Sequence, residues 1–385
     1  MNRTVVALGA VSLLTDAASE MVIPLLPTFL VTVLGGSALA IGWIEGVADA
    51  VSSVLKLLSG RWSDRSGRRR PYMLAGYAIS SLVRPLVAVA GAVWHVLAVR
   101  ICDRIGKGLR SAPRDALLAA SVPAGERGAA FSFHRAMDNT GAIVGPLIAA
   151  GFLYFVSSDL RLLFALALIP GLLSLVVLTR IAERPVPPPP PAPPPLAPLR
   201  GFLVPLGLFT LGNASDVFLL LKAGAVATPV AALPLLWMGF HIVKVAAALP
   251  GGILADRWGR RQTLAIGWLA RAACFVAFAF AEGQAAVWGI FLAYGCYHGL
   301  AEGSERALVA DLAPRGRAGT AFGWYHLTLG AFALAASLLF GALWDARGSA
   351  TAFLTSAGLA LAAVGALLWR TRREPPPSST HQGET

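Results

Sequence analysis

Asp16 and Glu20 stand four residues apart in an apolar run, one turn apart if that run is a helix. Two carboxyls so placed suit a proton carrier, because an apolar setting favours the neutral acid and a neighbouring acid favours it further. Permanent pairing with Arg100 or Arg104 is the other use the sequence offers them. Asn213 and Asp216 occupy the comparable depth in the second half of the chain. Arg100, Asp103, Arg104 and Lys107 are spaced by three, four and seven, which puts them on one helical face. Such a face serves anion binding or charge relay, or it is a structural network of ion pairs with acids of other helices. Glu45, Asp49 and Lys56 form a further polar group, as do His134, Arg135 and Asp138; His241 and Lys244; and His298, Glu302, Glu305 and Arg306. The proton-coupling candidates are Asp16, Glu20, Asp138 and Glu302. The candidates for lining a solute cavity are Glu45, Asp49, Arg100, Asp103, Arg104, Lys107, Asn213, Asp216, His241, Lys244, Tyr294 and His298. Trp43, Trp237 and Trp324 could add aromatic surface, although such residues also serve as packing or interfacial anchors.

The elements that must hold these groups are read from composition. Apolar residues make up 56% of the 385 and charged residues 14%, against roughly 45–50% and about 25% in soluble domains. Twelve apolar stretches near the length of a bilayer-spanning helix recur, at about 5–33, 39–60, 72–91, 94–120, 129–155, 160–180, 201–221, 230–254, 263–281, 286–311, 319–343 and 350–370. The expected fold is an all-α membrane protein of twelve transmembrane helices. A charge at the centre of such a helix costs about 2.5–3.5 kcal/mol on the mildest scale, so the polar faces above must turn inward.

The formal charge of +12 is explained by placement. Arg65, Arg68, Arg69 and Arg70 follow the second span, Arg180 and Arg184 the sixth, and Arg257, Arg260 and Arg261 the eighth. Arg315, Arg317, Arg370, Arg372 and Arg373 follow the tenth and twelfth, and the alternate loops carry only Arg161, Lys222 and Arg347. This bias predicts an inner-membrane protein with both termini in the cytoplasm, and gives no reason to invoke nucleic acid. Met1 to Glu20 superficially resembles a secretion signal, but the apolar run continues through Pro24 and Pro27 to Val33. Cys102, Cys274 and Cys296 have no paired spacing and imply neither a disulfide framework nor a zinc site.

Shifting the sequence by 192 residues lays Gly60, Asp64, Arg65, Gly67, Arg68 and Arg69 over Gly252, Asp256, Arg257, Gly259, Arg260 and Arg261. Pro123, Gly125, Gly128, Ala130 and Phe131 fall on Pro314, Gly316, Gly319, Ala321 and Phe322 at a shift of 191. Six helices thus repeat as six, in parallel, about an axis along the membrane normal. The expected layout is a six-helix bundle over 1–184, a proline-rich cytoplasmic linker over 185–199, a second bundle over 200–370 and a cytoplasmic tail over 371–385. In 185–198, ten of fourteen residues are proline, which favours an extended polyproline strap of roughly 40 Å. Such a strap joins the halves during rocking or is a linker with no mechanical role.

The loop GRWSDRSGRRRP, repeated as GGILADRWGRR, uses Gly60 for close helix approach, Asp64 to accept from backbone amides, Gly67 for a tight turn and Pro71 to start the next helix. On these residues the chain resembles the major facilitator superfamily, and the resemblance covers essentially the whole chain. It implies two six-helix bundles related by a pseudo-twofold axis around a central cavity, alternating access, and a conformational-switch role for both loops. Arg100 followed by Gly106 is similar to the superfamily's arginine-glycine motif, with Arg104 where a glycine is usual. GAIVGP, with Gly141, Gly145 and Pro146, looks like the antiporter motif of drug exporters, with Ala149 and Ala150 in place of the final glycines. DRIGKGLRSAPRD and HRAMD are similar to a prokaryotic efflux-like branch.

No Walker-type phosphate loop, HExxH or GxSxG occurs, so the sequence points away from an enzyme and implies no cofactor and no metal. The expectation is a monomeric carrier, energised by protons, that exports a small organic compound. An importer of a small organic anion, using the basic face near Arg100, and a non-transporting sensor or scaffold are the alternatives.

Overall fold

Backbone donors and acceptors inside a bilayer have no water to satisfy them, so long apolar runs must close their hydrogen bonds as helices. In the computed structural model, which describes residues 2–123, 127–181, 197–226, 228–312 and 318–371, every such run is helical, with no strand among the described residues. Twelve membrane helices follow one another. They are α1 Arg3–Val33, α2 Ala38–Ser66, α3 Arg70–Val89, α4 Val93–Ala120, α5 Arg127–Phe155 and α6 Leu160–Thr179. The second set is α7 Ala197–Leu211 continued by Val217–Ala225, α8 Val230–Ala232 running into Leu233–Trp258, α9 Arg260–Phe280, α10 Gln284–Leu312, α11 Ala318–Arg347 and α12 Ser349–Thr371. Among the described residues, nine helices are individually long and apolar enough to cross a membrane, and the three that are not are α4, α7 and α10. Those three carry much of the polar chemistry.

Several boundaries differ from the sequence reading for local reasons. α2 and α8 run on to Ser66 and Trp258, beyond the expected ends near 60 and 254. Nothing in GRWSD breaks a helix until Gly67, whose φ of +63° turns the chain in the left-handed region; Gly259 does the same at φ +95°. Pro71 sits in the first turn of α3, as its missing amide suggests. α7, expected to be continuous over 201–221, is broken between Leu211 and Val217, because Asn213, Ser215 and Asp216 favour turns. α1 is α-helical to Glu20 and then passes through a 3-10 turn at Ile23–Leu25 and a π turn at Phe29–Val33. Pro24 and Pro27 remove two amide donors there.

The packing repeats with the sequence. In the first half α1 packs on α5 and α6, α4 on α2 and α3, and α3 on α6; the same pairs recur as α7 on α11 and α12, α10 on α8 and α9, and α9 on α12. Two six-helix bundles therefore share one architecture. They meet along α2 and α11 and along α5 and α8. A Cβ added at Gly42 or Gly46 would strike Ser337 or Leu334 of α11, and one added at Gly330 or Gly341 would strike Ser53 or Ala38 of α2. Small residues let these two backbones touch. The seam runs from mid-membrane to the end opposite the termini, where Asp345 accepts from the Ala38 and Leu39 amides at 3.0 and 2.8 Å and caps α2 from the other half.

Candidate functional site

The polar groups of the first half divide into a buried network and a cavity-facing set. Arg100 donates from Nε and Nη2 to Glu45 at 2.7–3.1 Å, and its Nη1 lies 3.7 Å from Asp103. Arg84 donates to Asp103 at 2.9 Å and to the Thr15 carbonyl of α1 at 3.3 Å. All four side chains are at most 7% exposed. Two arginines and two carboxylates thus neutralise one another and fasten α1, α2, α3 and α4 together. Glu45, Arg100 and Asp103 belong to this framework, whereas Asp49, Arg104 and Lys107 look into open space. Gly76 and Gly106 bring α3 and α4 into backbone contact one turn below the network.

The acids of α1 are positioned by glycine. A Cβ at Gly141 would meet the Leu13 carbonyl at 2.5 Å and Asp16 Cβ at 2.9 Å; one at Gly145 would meet the Ala17 carbonyl at 2.5 Å and Glu20 Cβ at 3.0 Å. The two motif glycines of α5 therefore press on α1 at the two carboxyl residues, and Pro146 follows inside the same helix. Glu20 then reaches the other half: Trp237 Nε1 of α8 donates to Glu20 Oε2 at 2.6 Å. Asp138 of α5 accepts from Ser12 of α1 and lies 3.6 Å from His134.

In the second half, Asp216 follows the α7 break and accepts from Tyr294 Oη at 2.8 Å, with His298 Nε2 at 3.3 Å. Asn213 lies in the same break, its Oδ1 buried and unpartnered. Glu302 gathers cations: Lys244 of α8 at 3.2 Å, Arg306 at 2.8 Å and Arg135 of the opposite half at 3.5 Å. His241 is packed edge-on to Trp237 and Phe240. Phe240, Tyr294, His298 and Phe291 complete an aromatic wall. Gly251 and Gly299 bring α8 and α10 into backbone contact, which sets Lys244 opposite Glu302.

Three buried arginines were absent from the sequence-based candidates. Arg110 of α4 donates to the Ser80 hydroxyl of α3 and lies 4.6 Å over the Tyr77 ring. The other two are Arg84 and Arg271, the latter fully buried on α9, where it donates to the Gly212 carbonyl at 2.6 Å and sits 4.0 Å over the Phe275 ring. Arg84 and Arg271 each hold the first helix of their half by a main-chain carbonyl near mid-membrane. Both lie deep in apolar spans, and the cost of a charge there was the signal that could have found them.

The two repeated loops are not equivalent in packing. Gly60 approaches Ala112 of α4, with 3.3 Å to an added Cβ, whereas Gly252 meets nothing within 4 Å. Arg260 pairs with Asp311 and donates to the Ala307 carbonyl at 2.9 Å, tying the α8–α9 turn to α10. Arg65, Arg68 and Arg257 are exposed at the same end, and Arg69 and Arg261 are partly buried. The side chains of Asp64 and Asp256, and residues 182–196 and 372–385 of the linker and tail, lie outside the described residues.

Polar groups of α1 and α8, and of α5 and α10, meet across the two bundles, an arrangement able to hold a polar solute. Comparisons with known proteins agree. The sequence model of the Major Facilitator Superfamily matches residues 8–242 and 201–385. An uncharacterised MFS-type transporter of Methanocaldococcus jannaschii is 31% identical over 360 residues, 89% of each chain. The multidrug resistance protein MdtH of Photorhabdus laumondii is 30% identical over 135 residues, 35% of this chain and 33% of that one. Among solved structures, an inward-facing bacterial homologue of the human lysosomal transporter Spinster superposes with a TM-score of 0.79, covering 97% of this chain and 98% of that one at 13% identity.

Proposed function

Because this chain belongs to the major facilitator superfamily, a family of multi-pass membrane transporters, we propose that it exports a small organic compound by proton-coupled alternating access. The observation that carries the reading is the bond from Trp237 to Glu20, which joins a carboxyl of one half to the wall of the other. A charged acceptor holds that indole more strongly than a neutral one, by about a factor of two in hydrogen-bond strength. Loading a proton on Glu20 then loosens the halves, and unloading it docks them. Asp16 one turn away is the second carrier, and Gly141 and Gly145 hold both acids at a fixed height. Asp138 and Glu302 act as relay acids, each already engaged with neighbouring groups that exchange partners as the halves rock.

The halves meet along the α2–α11 seam at the end away from the termini. With the termini in the cytoplasm, as the arginine bias predicts, that arrangement faces inward. Outward movement is supported by the partial similarity to MdtH and by the α5 glycines, which suit an antiporter. The test uses proteoliposomes, a panel of labelled organic solutes and an imposed proton gradient. Glu20→Gln keeps an acceptor for Trp237 but cannot exchange a proton, so uphill transport should vanish while downhill exchange survives. Undiminished uphill transport in that variant would refute the assignment.

A further inference from the structure

Where α2 and α11 part at the inner end of their seam, a cavity of about 220 Å³ opens against α4. Its lining is basic: Lys56, Arg104, Lys107 and His326, with Asp49 the sole acid and Ser52 and Ser53 as hydroxyls. We propose that this cavity binds the oxyanion group, carboxylate or phosphate, of the transported solute. The inference rests on the transporter reading and adds the chemical class of the cargo.

Three observations carry it. Among the described residues, no acid lies within ion-pair distance of Lys56 or Lys107, and Asp49 reaches Arg104 Nε only at 3.7 Å. Asp16 acts on Lys107 and Asp115 on Lys56 from beyond pairing distance, and Arg110 and Arg114 add to the positive side, so five cations are set against three acids. Lys107 is exposed to the cavity and Lys56 partly so, so the surplus positive charge is accessible to an arriving anion. Next, Ser52 Oγ and Arg104 Nε are buried, line the cavity and have no hydrogen-bond partner. Ser52 is 3% exposed, so its orphaned hydroxyl points to a missing ligand rather than to solvent. Finally, the donors, a guanidinium, two ammoniums, an imidazole and a hydroxyl, are the set that an oxyanion accepts from. The volume falls below the roughly 300–1,000 Å³ of drug-sized pockets, which selects a compact anionic group.

The lining also spans the two halves. Lys56 and Arg104 come from the first, His326 from the second, and Gly330 of the lining is pressed against Ser53. An oxyanion held there bridges the bundles beside the seam that must open.

The test is calorimetric titration of the purified full-length protein in nanodiscs with benzoate, with inorganic phosphate, and with neutral benzamide. Saturable binding of benzoate is expected, benzamide failing to bind and affinity falling at least tenfold in Lys56→Gln and Lys107→Gln. The charge-keeping Lys56→Arg and Lys107→Arg variants should retain binding, which separates a lost contact from a lost fold. If phosphate binds with the same lysine dependence and benzoate does not, the group recognised is the phosphate of a phosphorylated solute. Failure of both anions to bind, equal binding of benzamide, or indifference to both lysine substitutions overturns the proposal. A protein that still drives a neutral solute uphill while binding no anion would refute this inference alone; anion binding without any solute flux would refute the transporter reading instead.

Discussion

The two halves share a packing plan, and the arginines that hold their first helices, Arg84 and Arg271, are buried in different ways. In the first, Arg100 and Arg84 are matched by Glu45 and Asp103, so a network of full charges balances itself in the protein interior. In the second, Arg271 has no acid within reach among the described residues and is held by a carbonyl and two aromatic faces. Asp216 is likewise held by a phenol and an imidazole. Matched charges make a rigid frame that fails when one member is removed. Polar and aromatic partners make a wall that can change its company, which is what a surface meeting a solute requires.

The sharpest way to break this contrast is to remove one arginine from each half. Arg100→Met leaves Glu45 unpaired and should cost about 3–5 kcal/mol, read as thermal unfolding of the purified protein, with most of it regained in the Arg100→Met, Glu45→Leu double variant. Arg271→Met strands no carboxylate and should cost about 2–4 kcal/mol, the worth of a charged hydrogen bond and a cation–π contact, with no second substitution that regains it. Failure of Glu45→Leu to rescue Arg100→Met would erase the distinction.

Next in size is the bond between halves. Trp237→Phe deletes a charge-assisted hydrogen bond worth about 1.5–3 kcal/mol. Cysteine-labelling rates along α2 and α11 should rise roughly tenfold, whereas unchanged labelling would place the docking energy elsewhere.

Within the first half, Gly141→Ala should wedge α5 from α1 for about 1–3 kcal/mol and slow transport. Gly151→Ala on the same helix, where an added Cβ meets nothing within 4 Å, should be neutral or stabilising by up to about 1 kcal/mol. Identical behaviour of the two would mean that glycine content, not its contact with Asp16, matters. The smallest effect is expected for Asp345→Asn, which weakens a carboxylate cap on α2 by about 0.5–1 kcal/mol. Loss of protection at the Ala38 and Leu39 amides in hydrogen exchange measures it.

The helices and their pairing were legible because lipid leaves one backbone solution and because the DR-x-G-RR turns repeat at half the chain length. The charged face of α4 was legible too, since three- and four-residue spacing is a local property. Which of its members pair was not, because Glu45 and Arg84 arrive from other helices. The cavity among Lys56, Lys107 and His326 joins residues from α2, α4 and α11, and no spacing encodes that meeting. Asp345 lies just beyond the expected end of its span near 343, and its partner lies over 300 positions away. The break in α7 was written in Asn213, Ser215 and Asp216, but an apolar count over the whole window hides three turn residues.

The polarity of α4 also constrains how the protein is made. Chains emerge from the ribosome N-terminus first, and α4 is too polar to count as a membrane span on its own. Its inter-helix ion partners, Glu45, Asp49 and Arg84, all precede it in the chain. The same order holds for α10: Asp216, Lys244, Trp268 and Arg135 are synthesised before it, and among the described residues only Tyr325 comes after. Each difficult helix thus reaches the bilayer when most of its counter-charges are already waiting there, so the order of the genes' codons doubles as an assembly schedule. Circular permutation that placed α4 before α2 would keep every contact of the finished fold and remove that schedule.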